Sequence, residues 1–373
     1  MQQYRIEFFE NRVSSTPASR KLVYVHHDFA NDIEIDDDYI AMQTTTIEIK
    51  STTKVKAGHF IRILRDEKDY FFGFVTDASP GEYTTRIQFK PFLAVFDSDV
   101  LFNILSQWRS TTYPGVSLEE ALKIYIDGYF VDNSDYRQNL PMNVTIPESG
   151  LTERWNMGIK SDTEGSVWAV VGLYKVLIVR AMKEYGVAIR VTPNFSTGQI
   201  GLTIGTVSGL IKIDADLENV VIKTLKVNDR PNSINKLIVH NTYDYTMSKT
   251  YYVHSNRTWD DENTNRIVPV SYEIRTVTPD GTYSDPQDDF EFAAISAAYD
   301  VLSGLEFDNL IELEVAPNDP IVKPASMKVG QKVSVYHNED VYTSILTGKS
   351  ISLEVITLMF GSERIKYTKK TSK

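Results

Sequence analysis

Residues 58–78 read GHFIRILRDEKDYFFGFVTDA and residues 330–350 read GQKVSVYHNEDVYTSILTGKS; these two stretches decide the fold. In the first, GHFIRIL (58–64) alternates, with Phe60, Ile61, Ile63 and Leu64 supplying the apolar side. The charged stretch Arg65 to Asp69 interrupts, and YFFGFV (70–75) resumes. A strand, a short polar turn and a return strand make a hairpin. Gly73 inside the return strand predicts a bulge or the close approach of another backbone. Laid without a gap over the second stretch, Gly58 meets Gly330, Ile61 meets Val333 and Ile63 meets Val335. Glu67 then meets Glu339, Tyr70 meets Tyr342 and Phe74 meets Leu346. One further strand follows each copy, TTRIQFKPF (84–92), closed by Pro91, and VITLMFG (355–361). The echo has two readings: duplication of one unit, or the alternation that recurs in any β protein.

Outward from these stretches, TTTIEIK (44–50) adds a strand, and the first ninety or so residues read as short strands between turns. Such spacing argues for a small barrel or sandwich. The middle holds helices. Ser117-Leu118-Glu119-Glu120 is a capping box, and Leu118, Ala121, Leu122, Tyr125, Ile126 and Tyr129 behind it share one face. Ser161-x-x-Glu164 is a second box, before an apolar run from Val167 to Tyr185 that ends at Gly186, a C-cap. A third helix is expected from Asp289 to Leu302, stopped by Gly304. Strands return in GVAIRVTP (186–193), IGLTIGT (200–206) and LIKID (210–214). Two β segments flank Asp229-Arg230-Pro231-Asn232, HSNRTWDDENTN (254–265) reads as an exposed loop, and helical spacing is gone after Ile311.

The chain has 373 residues, enough for two to three domains at roughly 150 residues each. Hydrophobic residues make up 42% and charged ones 24%, so a core of ordinary size is available and global disorder is excluded. The net charge of −11 repels nucleic acid and anionic membrane. With no cysteine, thiol catalysis, Cys-based zinc sites and disulfides are ruled out. The start, MQQYRIEFFENRV, carries charge where a signal peptide needs apolar residues, and Lys175 and Arg180 break the longest apolar run, so a soluble protein is expected.

The common catalytic motifs fail. Gly348-Lys349-Ser350 looks like the end of a phosphate-binding loop, but position 343, where that motif needs glycine, is Thr. Gly198, Gly201 and Gly205 lack dinucleotide spacing, and there is neither a Gly-x-Ser-x-Gly elbow nor a His-Glu-x-x-His pair. His26-His27-Asp28 reads as a polar strand end, because neighbours on a strand face opposite ways. Asp36-Asp37-Asp38 and the cluster from Asp285 to Glu291 read as solvated acidic turns. No catalytic, cofactor or metal residue is selected.

The segment Gly58 to Val75 has the form Gly-x-x-Ile-x-Ile, polar turn, aromatic pair, Gly-Phe-Val. The ending runs from Met327-Lys328-Val329-Gly330-Gln331 through Tyr342-Thr343-Ser344-Ile345-Leu346-Thr347-Gly348 to Phe360-Gly361-Ser362-Glu363-Arg364. With Asn235 to Val239, Tyr251 to His254 and Arg266 to Val270, it resembles the hub module of tail-associated proteins of siphophages and Gram-positive prophages. These are similar in fold to the central baseplate hub of contractile phages. The resemblance covers nearly the whole chain, and its motifs are structural.

The resemblance implies a mainly β fold with a mixed α/β middle, in which two small tube-like β-barrel domains flank helical and inserted regions. The expected division is a first barrel at 1–95, a middle domain at 96–215, a second barrel from 216–242 plus 306–373, and an insertion at 243–305. It implies a virion component at the tail tip or baseplate, assembled in the host cytoplasm as a homotrimer. That trimer would dock on the hexameric distal tail protein ring, close the tube and open for DNA ejection on host infection. The tape measure protein and a receptor-binding protein are further expected partners, and DNA would pass without specific binding. The chain stops at Tyr367 to Lys373, just after the last strand, so a short form without a lytic domain is expected, as in lactococcal-type siphophage baseplates. Gly58, Phe72, Gly73, Gly330, Tyr342 and Gly361 are the expected fold-defining positions. Two other readings stand beside the hub: a carbohydrate-binding adhesin using Trp155, Trp168 and Trp259, and a cell-wall hydrolase or peptidase.

Overall fold

The computed structural model describes residues 4–361 apart from 31–32, 51, 66, 108–115, 148–151, 153–154, 156, 160, 162, 164–165, 228–233, 255–258, 264–270, 280, 282–283, 303–308 and 353. The expected features at Glu164, 229–232, 266–270, Gly304 and 367–373 lie outside the described residues.

The chain begins with β1 (Tyr4–Arg12), β2 (Lys21–Ala30), β3 (Ile35–Asp38), β4 (Thr45–Lys50), β5 (Phe60–Arg65), β6 (Lys68–Pro80) and β7 (Thr84–Pro91). The middle follows with β8 (Asp99–Asn103), α1 (Leu118–Ile126), β9 (Met142–Thr145), β10 (Trp168–Gly172), α2 (Val179–Tyr185), β11 (Ala188–Asn194) and β12 (Gln199–Gly205). Next come β13 (Val207–Asp214), β14 (Val220–Val227), β15 (Lys236–Asn241), β16 (Ser248–Val253), β17 (Trp259–Asp260), β18 (Tyr272–Val277) and α3 (Pro286–Leu302). The chain ends with β19 (Asn309–Val315), β20 (Gln331–His337), β21 (Asp340–Ile351) and β22 (Ile356–Phe360). The fold is mainly β.

Six strands form the first sheet, in the order β2-β1-β5-β6-β7-β4, all antiparallel. Alternation puts Ile6, Phe8, Ile47, Ile49, Ile61, Ile63, Ile87 and Phe89 into one core. Among the described residues no ladder closes β4 on β2, but the Lys50 N–H donates to Asp28 Oδ2 at 2.6 Å across that gap. The sheet is therefore a curled, incompletely closed barrel.

The second sheet runs β13-β20-β21-β22-β19-β14, with only the β13–β20 pair parallel among the strands on this path. Its core is Ile213, Ile311, Leu313, Val333, Val335, Leu346, Leu358 and Phe360. Between β14 and β19 the chain makes a separate sheet, β17-β16-β15-β18. One face of it packs Leu237, Val239, Tyr251 and Val253 against Phe290, Ala294, Ala297, Ala298 and Leu302 of α3. Small residues let that helix lie close to the strands.

The echo between the two stretches persists in three dimensions. Gly58 and Gly330, just before β5 and β20, have φ of 87° and 88°. Glu67 and Glu339, at the hairpin tips, have φ of 59° and 71°. The β5–β6 ladder shifts register between Ile63 and Leu64, leaving Tyr70 without an opposite residue, whereas β20–β21 runs through unshifted. Past that point the equivalence moves by one residue. Phe71, not Tyr70, is the counterpart of Tyr342, and Val75, not Phe74, is the counterpart of Leu346; this corrects the ungapped alignment. A second shift, between Val75 and Asp77 against β7, has its match between Leu346 and Gly348 against β22. The extra residue is threonine both times, Thr76 and Thr347. Bulges are specific features, and two at matching places exceed what alternation produces. Beyond β7 and β22, β4 and β19 pair in the same order and sense.

The middle region packs α1, α2, the β8–β10 ribbon and the sheet β11-β12-β9 around the largest core. Ser117 and Glu120 form the expected reciprocal box at the start of α1. Gly186 ends α2 in a left-handed conformation, φ 66°.

Four expectations are corrected. Trp168–Gly172 is strand β10, paired with β8, so the helical part of the Val167–Tyr185 run starts only at Leu173, in a wide π-type turn. Asp36-Asp37-Asp38 is no solvated turn but lies in strand β3, paired with β21. The Asp285–Glu291 cluster runs from the residue before α3 into its second turn: the Asp285 carboxylate accepts from the Gln287 N–H, and buried Asp289 accepts from the Gly281 N–H. Within the expected loop 254–265, Trp259–Asp260 forms β17, and buried His254 pairs with Asp260 at 2.9 Å.

Candidate functional site: a three-way junction at β3

Of the expected fold-defining residues, Gly361 (φ 86°) is the most constrained: a Cβ there would sit 1.9 Å from the Asn309 carbonyl oxygen. Its N–H donates to the Ile345 carbonyl, and its own carbonyl accepts from Thr347 Oγ1. Gly330 abuts Ala188, whose Cβ would lie 2.6 Å from an added one, and Gly73 abuts the Lys90 carbonyl at 2.2 Å. Gly58 meets nothing within 4 Å and needs glycine only for its φ. Phe72 stacks on Phe60 and Phe92 at the boundary of the first sheet and the middle region. Tyr342 is half-buried beside the second core. These six do not converge. They are spread over two hairpins and a strand end.

What does converge is a site that the sequence reading passed over. Strand β3 leaves the first sheet between β2 and β4 and pairs antiparallel with β21, Asp37 opposite Lys349 and Asp38 opposite Gly348. The side chain of Ile35 stays in the first core while its backbone belongs to the second sheet's ladder. Gly348 makes this approach possible, since a Cβ there would meet Asp38 Cα at 2.9 Å and Met359 Cε at 2.9 Å. The Gly-Lys-Ser triplet thus serves strand packing rather than phosphate binding.

Tyr39, next along the chain, ties in the third party. Its N–H donates to the Thr347 carbonyl at 2.9 Å, on the bulged residue of β21. Its hydroxyl accepts from the Ile189 N–H at 3.1 Å, and its carbonyl accepts from the Tyr174 hydroxyl. Middle region and second sheet are hydrogen-bonded through one residue, in the segment of chain that leads out of the first sheet. Burial pushes both phenols up from the ordinary tyrosine value, so both stay neutral donors and acceptors.

Beside this knot lies a cleft of about 710 Å³, lined by parts of all three regions, including Tyr70, Phe72, Phe92, Arg190, Lys328 and Lys349. The Lys349 ammonium donates to the carbonyls of Pro324 (2.8 Å) and Met327 (2.7 Å). Burial lowers Lys349 to about 8, against the opposing pull of Asp37. Burial also raises Asp37 to about 6; Lys349 counters this and Asp38 adds to it. Both charges are held at a cost. Among the described residues no cluster of three His, Asp or Glu side chains could hold a metal ion.

Trp155 is buried in the middle core, its Nε1–H donating to the Val116 carbonyl at 2.9 Å, which removes it from a sugar-binding surface. Trp168 is exposed on β10, and Trp259 packs edge-on against Tyr251. His26 and His27 lie on β2, where Phe8 stacks on His26 and the Tyr24 hydroxyl bonds His27 Nδ1. No described helix is long and apolar enough to cross a membrane.

No family model matches the sequence, and no curated protein matches it. Among solved structures the chain is similar to phage tail proteins and baseplate components. One is a tail protein from Neisseria meningitidis MC58, at 12% identity over 96% of this chain and 97% of that one, TM-score 0.48. Another is a chain of the p2 virion baseplate in its activated conformation, at 15% identity over 98% and 100%, TM-score 0.47. A third is the prophage tail protein gp18 from Listeria monocytogenes, at 9% identity over 96% and 94%, TM-score 0.45.

Proposed function

We propose that this chain is a non-enzymatic structural subunit of a bacteriophage tail tip, a trimeric hub seated on a hexameric ring of the distal tail protein. The observation that carries the reading is the repeat: two sheets of one chain share a hairpin, a bulge at threonine and two following strands in the same order. One chain then offers two similar units, and three chains offer six to a six-fold partner, a geometric match between closed cyclic assemblies. The hub-like segments in the sequence, Gly58 to Val75 and Met327 to Arg364, supply its hub character. The charge of −11 per chain suits a conduit that must pass DNA without holding it.

In this reading the middle region and the β15–β18 sheet close the tube, and host attachment opens it for DNA ejection. Division into domains is part of the proposal, and it is best cut so that each sheet stays whole. Val207–Asp214 then goes with the second sheet and Lys236–Asn241 with the insertion, rather than with the middle domain and the second barrel. Gold-labelled antibody against the chain, applied to intact phage particles, is expected to mark the tail end far from the head. Label on the capsid, or none on the particle, would overturn the assignment.

A further inference from the structure

We propose that β3 is a releasable strap: the second sheet detaches from the first along the β3–β21 ladder while each sheet stays folded, and charge on Asp37 and Lys349 favours release. The inference concerns the joint alone and holds whether or not the chain sits in a phage tail.

Four observations carry it. The joint is narrow, with four residues of β3 pairing with four of β21. The cores of the two sheets share no buried residue; half-buried Tyr70 packs against both, and each sheet also reaches the middle core, through Phe60 and Ile345. A cleft of about 710 Å³ already lies beside the joint. The two residues facing each other across the ladder are an acid and a base, both buried enough for their charged forms to be disfavoured. Burying opposite charges commonly costs more than their attraction returns. Release returns both to water.

The groups around Asp37 are Lys349 on β21, its own neighbours Asp36 and Asp38, and Tyr39 and Tyr174. Asp69 and Tyr70 reach the cleft from the β5–β6 hairpin, Arg190 from β11 and Lys328 from the turn before β20. Asp69 is already paired with Arg62, and Arg190 donates to the Gly205 carbonyl.

The sign follows from proton linkage. Held at the joint, Asp37 keeps its proton up to about pH 6, whereas a released aspartate gives it up near 3.8. Release is therefore suppressed at low pH and favoured as pH rises through 6. The two values make opening roughly tenfold more frequent at pH 7 than at pH 5. Lys349, at about 8 against an ordinary 10.5, suppresses release again above pH 8.

The test is amide hydrogen exchange followed by mass spectrometry on the full chain at pH 5 and 7, corrected for intrinsic exchange rates. Segments 35–39 and 347–351 are expected to open roughly tenfold more often at pH 7, with β5 protected throughout as the control for folding. Asp37→Asn should abolish the difference, and Asp36→Asn, on the opposite face of β3, should leave it intact. If those segments at pH 7 are as protected as β5, or if Asp37→Asn keeps the pH dependence, the proposal fails.

Discussion

Glycines that look alike in the sequence carry different loads. Gly361 and Gly58 share a φ near 87°, yet only Gly361 has a backbone oxygen where a side chain would go. Gly58→Ala is expected to cost about 1 kcal/mol, the penalty of the left-handed backbone alone. Gly361→Ala must also push back Asn309, and is expected to cost roughly 2–4 kcal/mol. Urea unfolding of the two variants checks the ranking, and equal losses would refute it. The tip of the second hairpin works the other way, since Asn338 and Glu339 both have positive φ, 50° and 71°. Glu339→Gly is expected to stabilise by about 0.5–1 kcal/mol, because Asn-Gly is the natural pair for such a tip.

At the scale of elements, β4, β5, β7 and β22 were legible because apolar residues two apart on each strand meet a core: Ile47 and Ile49, Ile61 and Ile63, Ile87 and Phe89, and Ile356, Leu358 and Phe360. The capping box at Ser117 was legible for a similar reason: its bonds lie within one turn of helix. β3 was not legible. Three consecutive aspartates have no strand pattern, and the partner that makes a strand of them lies more than three hundred residues away. Trp168–Gly172 was misread as helix because an apolar run carries no period, and only pairing with β8 decides it. The site at Tyr39 was missed with β3, and Gly348, seen and dismissed as a phosphate loop, was its one visible sign. The extra residue at Tyr70 was hidden because tyrosine still fell opposite tyrosine in an ungapped alignment. Removing the Tyr39 hydroxyl tests the junction as an element. Tyr39→Phe leaves the buried Ile189 N–H without its acceptor and is expected to cost about 1–3 kcal/mol by thermal or urea unfolding. A loss below a few tenths would mean that this hydrogen bond does not hold the junction.

For the molecule as a whole, the raised Asp37 makes a pH-dependent contribution to stability. The folded chain holds a proton there up to about pH 6, while the unfolded chain releases it near 3.8. This contribution is full below pH 3.8 and is lost as pH rises through 6, so Asp37→Asn should stabilise by roughly 1–2 kcal/mol at pH 7 and hardly at all near pH 4. Unfolding curves at the two pH values decide it, and equal gains at both would contradict the linkage.

Whether two like units per chain meet a six-fold partner as a trimer is read from mass. Light scattering behind a sizing column should be run over a range of concentrations, with the chain alone and with the distal tail protein of the same virion. A species of three chains, three times 42.4 kDa, is expected alone or bound to the hexameric ring. A single-chain mass at every concentration, both with and without the ring protein, would contradict it.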